Sequence, residues 1–582
     1  MNECIPRMMV SVGLVTLIIG TTGCGAGASA PRVVSSTACP IRLEEATAGS
    51  GIEFLHDDGS GGRRFIVESM ASGAATLDYD GDGRLDVYLL SGVAIEGTPP
   101  VATAPRSRLF RNLGRFRFAD VTDASGLPDP GFGLGVAAGD LDDDGHPDLV
   151  ISTFGPKAIY RNNGDGTFAD ITAATAVDDG EPVGGGVSLF DMDADGDLDM
   201  YLANYVDFTC ATHVPEFSDG FPVYTSPKAY DPLPHAVFRN EGNGRFRDIS
   251  IECGVGGTPG PGMGTIAGDV DDDGDTDVFV MNDGFGNFCW INDGHGRFID
   301  GSLIEGLKFN GDGAPVASMG VDAADVDGDG RIDFFETTYQ GERPVLFRNL
   351  GNGLYDDVTR LTGIGEGTTG NVKWGCGFAD FDNDTHPDIL YLEGHIQDNV
   401  AMFDRTTSYE GTAVLLRNRG DGSFVRATAA CGGALALPMV GRGLVLDDLD
   451  DDGRIDAVAI SSRRPAVVIR NTSPAGRHWV SLWLRGVHGN RDALGARVTV
   501  SAGGVSRVAE VRCGRGYQGH FGSRLHFGLG DADRVEQITV RWPGGATTTL
   551  DDPPVDRALL LREDGAGFDL SVGPTVTGRS GD

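Results

Sequence analysis

A nine-residue pattern, D-x-D-x-D-G-x-x-D, recurs seven times along the 582-residue chain. DYDGDGRLD supplies Asp78, Asp80, Asp82 and Asp86; DLDDDGHPD supplies Asp140, Asp142, Asp144 and Asp148. DMDADGDLD supplies Asp191, Asp193, Asp195 and Asp199; DVDDDGDTD supplies Asp269, Asp271, Asp273 and Asp277. DVDGDGRID supplies Asp325, Asp327, Asp329 and Asp333; DFDNDTHPD supplies Asp380, Asp382, Asp384 and Asp388. DLDDDGRID supplies Asp448, Asp450, Asp452 and Asp456. Alternate carboxylates in a short loop point inward together if the chain turns sharply, and a glycine at the sixth place allows that turn. Hard dications take six to eight oxygens, so each loop is expected to hold calcium, up to seven ions in all. Only the sixth loop loses the glycine, to Thr385, and is expected to be the weakest site. EF-hands are excluded: their bidentate Glu at place twelve occurs only after the fifth loop, as Glu336, and the flanks read as strands.

The repeat extends beyond the loop. A small-residue strand such as GAATLD or GVAAGD precedes each loop, and a short apolar strand such as VYLL or LVIS follows. Then come a strand ending in arginine-asparagine, a glycine turn, and an aromatic-acid strand, as in LFRNLGRFRFADVT. Alternation with glycine punctuation, including 89 glycines overall, marks the units as β. Four strands recurring roughly every 60 residues predict a seven-bladed β-propeller, so the fold class is all-β. The closing strand follows the first six loops but not the seventh. A spare copy, RLEEATAGSGI from Arg42 to Ile52, is expected to supply the outer strand of the seventh blade and close the ring.

These units resemble the FG-GAP/VCBS propellers, in which the same acidic loop binds calcium between adjacent strands. After Asn471 the strands HWVSLWLRG, ALGARVTVSAGG and SRVAEVRCG introduce a second pattern. NRDALGARV from Asn490, LHFGLG from Leu525 and VRWPGG from Val540 resemble the ASPIC/UnbV domain. With the propeller in front, residues 42–552 resemble the cartilage acidic protein family, bacterial members included. The resemblance implies a secreted or surface calcium-binding protein. It also implies two cysteines in the third-unit insertion, where this chain has Cys210 and, near the other expected place, Ser226.

The expected organisation is a lipoprotein-like signal at 1–24, a flexible tether at 25–41, the propeller at 42–472, the ASPIC/UnbV domain at 473–560 and a tail at 561–582. Arg7 and an apolar run precede TTGC, with Cys24 the lipidation candidate; cleavage after Ala30 is the rival reading. Either way the chain is expected to be exported, with a lipid anchor as its only membrane attachment. The other cysteines of the mature chain are odd in number and lack metal-ligand spacing, consistent with at most one or two disulfides. With 85 acidic against 46 basic residues, net −39, nucleic acid is excluded as a partner.

The third unit carries the largest insertion, 204–234. Its aromatics Tyr205, Phe208, Phe217, Tyr224 and Tyr230 make it the candidate ligand loop for a glycan or peptide, or else a packed cover over the blade. In the sixth unit, Lys373, Trp374, Glu393 and His395 cluster in sequence, and a structural role is expected for the histidine. From Ser473 to Gly530 eight arginines face only Asp492 and Glu510. That segment is expected to dock on the acidic propeller or to bind an anionic glycan.

No GxSxG, HExxH or phosphate-binding glycine loop occurs. No catalytic residue is assigned. The expected function is a monomeric cell-surface binding or adhesion module for a protein or glycan; the alternative is a calcium-dependent polysaccharide lyase or hydrolase.

Overall fold

The computed structural model describes residues 39–565 and the backbone of 567–569, apart from 71, 96–105, 178, 179, 181, 243 and 428. The expected signal, Cys24 and most of the tether lie outside the described residues. Small residues let seven strands approach one axis: Ala74–Leu77, Gly133–Gly139, Gly184–Phe190, Gly262–Gly268, Val316–Ala324, Lys373–Ala379 and Gly441–Asp447. Each packs against the equivalent strands of its two neighbours, so the ring closes. Close approach demands the glycines: a Cβ at Gly135 would lie 2.3 Å from the Gly185 carbonyl oxygen of the next blade.

Each inner strand begins a four-stranded antiparallel blade, and blades four and five share one sheet because the long second strand of blade four, Asp277–Phe285, also pairs with Val316–Ala324. In all seven the second strand starts at the ninth residue of the acidic loop: Asp86, Asp148, Asp199, Asp277, Asp333, Asp388 and Asp456. The loops therefore share one side of the ring. Blade seven closes as the sequence predicts. Leu43–Glu45 pairs antiparallel with Ile469–Asn471, and the Thr472 amide donates to the Arg42 carbonyl at 2.7 Å.

Cys39 is bonded to Cys431, 392 residues away, beside this seam. Ile41 is fully buried. The described part of the expected tether, from residue 39, thus belongs to the propeller, because the disulfide and the core hold it.

The second domain is two four-stranded sheets. One orders Arg524–Gly530, His478–Arg485, Arg557–Arg562 and Gly567–Asp569; the other orders Val505–Glu510, Arg497–Ala502, Val535–Arg541 and Thr547–Asp551. It runs past the expected boundary at 560, because Arg557–Arg562 lies parallel to His478–Arg485 inside the first sheet. Its apolar side chains merge with those of blades two and three: Val500 and Ile538 share one cluster with Val187 and Leu189.

Between the sheets, residues 512–523 enter the propeller along its axis. Gly516 exchanges two backbone hydrogen bonds with Val321 of blade five, at 2.7 and 2.9 Å. The Ala267 amide of blade four donates to Cys513, Val136 of blade two to Gln518, and Thr76 of blade one to His520. Gly73 has no room for a side chain, since a Cβ there would lie 1.8 Å from the Gln518 carbonyl oxygen. Cys513, Tyr517 and Phe521 are fully buried. The segment is a plug that satisfies inner-strand backbone groups a bare channel would leave to water.

Arginines complete the docking. Arg515 forks onto Asp322 of blade five at 2.7 and 2.9 Å and stacks on Phe521. Arg541 reaches Asp269 at 2.8 Å, Arg497 reaches Asp272 at 2.6 Å, Arg477 reaches Asp382 at 2.8 Å and Arg524 reaches Asp451 at 2.7 Å. Of the two readings of the arginine-rich segment, the structure shows docking on the loop side of the ring. The central pair is out of reach of salt screening, which acts mainly between exposed charges. Replacing Arg515 with Ala strands the fully buried Asp322 carboxylate, and is expected to destabilise the protein by about 3–5 kcal/mol. Denaturant unfolding of R515A checks this, and a loss below about 1 kcal/mol would refute the role given to the pair.

Candidate metal centres

In each loop the ninth carboxylate is a buried junction. Its Oδ2 accepts the amide of the second loop residue: Tyr79, Leu141, Met192, Val270, Val326, Phe381 or Leu449. Its Oδ1 accepts the amide of an asparagine on the third strand: Asn112, Asn162, Asn240, Asn292, Asn349, Asn418 or Asn471, at 2.6–2.8 Å. The asparagine side chain then crosses to the preceding blade. Asn162 Nδ2 donates to Tyr79 O, Asn240 to Leu141 O, Asn292 to Met192 O, Asn418 to Val326 O, Asn471 to Phe381 O, and Asn112 to Leu449 O across the seam. In blade five the bond is relayed: Asn349 donates to the Tyr355 hydroxyl, which donates to Val270 O. These asparagines are at most 4% exposed. The sequence shows them only as part of a recurring strand ending.

The remaining carboxylates face the loop centre. The first Asp accepts two amides of its own loop, as Asp78 does from Asp82 and Gly83, and Asp380 from Asp384 and Thr385. Asp269 departs from this; its Oδ2 accepts from Arg541. Oxygens of Asp78, Asp80 and Asp86 lie within 4.8 Å of one another, as do those of Asp140, Asp142 and Asp148, of Asp191, Asp193 and Asp199, of Asp269, Asp271 and Asp273, and of Asp325, Asp327 and Asp329. Asp144 and Asp195 each accept the amide two residues on, as do Asp82, Asp384 and Asp452. Five buried oxygens meet no donor: Asp142 Oδ1, Asp193 Oδ1, Asp269 Oδ1, Asp382 Oδ2 and Asp450 Oδ1. Carboxylate oxygens left bare in a desolvated cluster are what a hard dication requires and what little else tolerates, so the residues present fit a metal ion.

The turn follows from the sixth residue. Its φ is +85° at Gly83, +94° at Gly145, +99° at Gly196, +103° at Gly274, +85° at Gly330 and +80° at Gly453. Thr385 adopts +78° without glycine's freedom. The second domain compensates: Arg507 Nε donates to the Thr385 carbonyl at 2.7 Å and Nη2 to its hydroxyl at 3.1 Å.

Without an ion, burial and then neighbouring carboxylates disfavour charge in these loops. Asp86, Asp148, Asp199 and Asp333 are pushed up to about 8, and Asp140 and Asp448 to about 7. A bound dication would reverse that balance.

The insertion aromatics divide. Phe208 packs within 6 Å of Phe65, Phe154 and Tyr230 (ring centroids 5.7, 5.7 and 5.5 Å). Tyr205 is buried with its hydroxyl on Asp283, Tyr224 is buried beneath Arg64, and Phe217 is 64% exposed. In blade six, the buried Lys373 ammonium donates to the carbonyls of Tyr339, Glu342 and Asn371. Trp374 Nε1 donates to Gly394 O, and His395 pairs with Gln340. Glu393 lies 3.9 Å from Arg426.

Residues 486–567 match the ASPIC and UnbV family, and 78–151, 140–202, 269–336 and 325–391 match the FG-GAP-like repeat. Cartilage acidic protein 1 of Mus musculus is 25% identical over 81% of this chain and 70% of its own length. The Homo sapiens protein is 26% identical over 71% of this chain and 60% of its own. Among solved structures, an Agrocybe aegerita lectin that recognises non-reducing terminal N-acetylglucosamine matches at 17% identity, covering 67% of this chain and 88% of its own, with a TM-score of 0.36. The exotype rhamnogalacturonan lyase YesX matches at 13% identity over 83% of both chains, with a TM-score of 0.30.

Two outcomes follow from this geometry. Asn240→Ala leaves the Leu141 and Leu198 carbonyls without a donor in a buried interface, and is expected to cost about 2–4 kcal/mol, read as a lowered melting temperature. The second concerns pH. Carboxyls whose folded pKa is raised above the unfolded value of about 3.9 bind protons in the folded state that the unfolded chain has released. The stability they contribute is complete below about pH 4 and is lost as pH rises through about 8. Metal-stripped protein should therefore melt progressively lower from about pH 5 to 8, and calcium should flatten the slope. A stripped protein that melts higher across that window would contradict the assignment.

Proposed function

Because the chain joins FG-GAP-like repeats to a C-terminal ASPIC and UnbV domain and is homologous to the cartilage acidic protein 1 family, we propose that it is an exported, calcium-loaded binding module. The observation that carries the reading is the set of desolvated carboxylate clusters with oxygens that lack any donor. When bound, calcium would neutralise those carboxylates. The ligands would be the Asp sets of the seven loops, the sixth loop being the weakest because Thr385, though braced by Arg507, lacks glycine's freedom at positive φ. The protein's own residues do the rest. The ninth Asp and its asparagine hold blade to blade, and the plug fixes the inner strands.

Export is supported by the Cys39–Cys431 disulfide, which forms in oxidising compartments. The partner is a protein or a glycan, met on the side of the ring away from the second domain, since that domain covers the loop side. We assign membrane contact only to lipidation at Cys24.

Each ion held at a hundred times its dissociation constant adds about 2.7 kcal/mol to stability. EGTA is expected to lower the melting temperature markedly, with recovery on adding calcium and not on adding equal magnesium, whose smaller shell demands octahedral geometry. An unchanged melt in EGTA would end the calcium reading. A glycan and protein array probed in calcium identifies the partner class.

A further inference from the structure

Away from the second domain, the insertion of blade three spans the mouth of the ring. The Tyr224 amide donates to Gln397 Oε1 of blade six at 2.7 Å, Gln397 Nε2 returns a bond to Tyr224 O at 3.1 Å, and Asn399 Nδ2 donates to Pro222 O at 2.8 Å. Next to this strap is a cavity of about 430 Å³, within the range of small-ligand sites. Its floor includes Trp374, whose ring meets Tyr517 of the plug edge-on at 4.9 Å. The cavity is therefore blind: the plug backs it.

Its lining is acid-rich, with the Lys373 ammonium and the Arg442 guanidinium lying behind Tyr339, Glu342 and Trp374. Asp283, Glu216 and Glu342 come from three separate elements and line it, against Lys228 as the sole lining lysine or arginine. Asp283 is 8% exposed; its Oδ2 accepts the Tyr205 hydroxyl at 2.7 Å, and its Oδ1 has no donor among the described residues. Among the described residues, Glu342 accepts only through Oε2, from the amides of Ala317 and Tyr339, and Glu216 only through Oε2, from Ser226. Each keeps an oxygen for a ligand. After burial, Asp283, Glu216 and Glu342 push the phenol of half-buried Tyr339 up, while Arg442 acts the other way. Burial holds the lining His395 neutral, down to about 4. Arg442 lies over Trp374, its Nε and Nη1 donating to the carbonyls of Ser69, Gly394 and Gly441. A neutral sugar wants a bare aromatic face, yet Trp374 is covered by Arg442 and Tyr517, and Tyr224 by Arg64.

We propose that this cavity binds an organic cation, an ammonium carried either by a small amine or by a lysine side chain of a protein partner. The free oxygens of Asp283, Glu216 and Glu342 receive its protons. The proposal rests on the reading of the propeller as a binding module and names the chemistry that module takes.

Calorimetry on the full chain in saturating calcium, with n-butylamine, a capped Gly-Gly-Lys-Gly-Gly peptide and glucose as probes, tests it. Binding of both cations supports the proposal and shows that an ammonium suffices. Binding of the peptide alone supports it with a protein as the source. Asp283→Asn retains an acceptor for Tyr205, and Glu216→Gln lies on the exposed rim, so the second carries the test if the first fails to fold. Each is expected to weaken cation binding about tenfold. Failure of both cations to bind, binding of glucose in their place, or affinity unchanged in both variants overturns the proposal. Melting the same sample with and without EGTA separates the two readings. If EGTA lowers the melt while the cations fail, the cation site falls and the calcium module stands.

Discussion

A buried aspartate bonded to a buried asparagine is the contact on which this propeller turns. The ninth loop carboxylate gathers two amides from its own blade, and the asparagine that supplies one of them reaches the blade before. Loop, second strand, third strand and neighbouring blade thus meet at one point. Repeated around the ring, directly in six blades and through Tyr355 in blade five, the arrangement makes each acidic loop part of the inter-blade interface rather than a surface appendage. It also explains the cost. A carboxylate so buried resists ionisation, and backbone hydrogen bonds alone do not offset the loss of water. Positive charge has to come from elsewhere.

Two sources suit the site. Inside the loops, a dication fits the oxygens that lack donors. From outside, the second domain brings arginines onto the same rim, with Arg541 on Asp269 and Arg477 on Asp382. The lopsided composition, net −39, thus conceals a local division of labour. Several arginines of the small domain, Arg477, Arg497, Arg515, Arg524 and Arg541 among them, pair with propeller carboxylates. Arg507 repairs the loop whose turn lacks glycine, so the departure at Thr385 is met by a partner more than a hundred residues away.

Much of this was legible in the sequence. The fixed acidic spacing gave blade number, and the spare strand before the first loop, RLEEATAGSGI, correctly pointed to ring closure at Ile469–Asn471. Periodicity reveals what recurs within a unit. It does not reveal which atom a recurring residue touches in the next unit, so Asn162 was visible but its bond to Tyr79 was not. The plug was hidden for a related reason. RCGRGYQGHFG has neither alternation nor a repeat, because its partners are inner-strand backbones in another domain. The aromatic insertion was legible as unusual, yet its buried rings mostly anchor a strap, and the acidic cavity beside it draws on blades that are distant in sequence.

The disulfide beside the seam has a mechanical meaning. The seventh blade is completed by three residues, Leu43–Glu45, which alone would peel away one bond at a time under tension from upstream. Cys39 precedes that strand and is tied to Cys431, just before blade seven begins. Load arriving along the chain from before residue 39 passes through a covalent link into the body of the ring. The weakest strand is left slack, and a molecule tugged by its leading end keeps its circle shut.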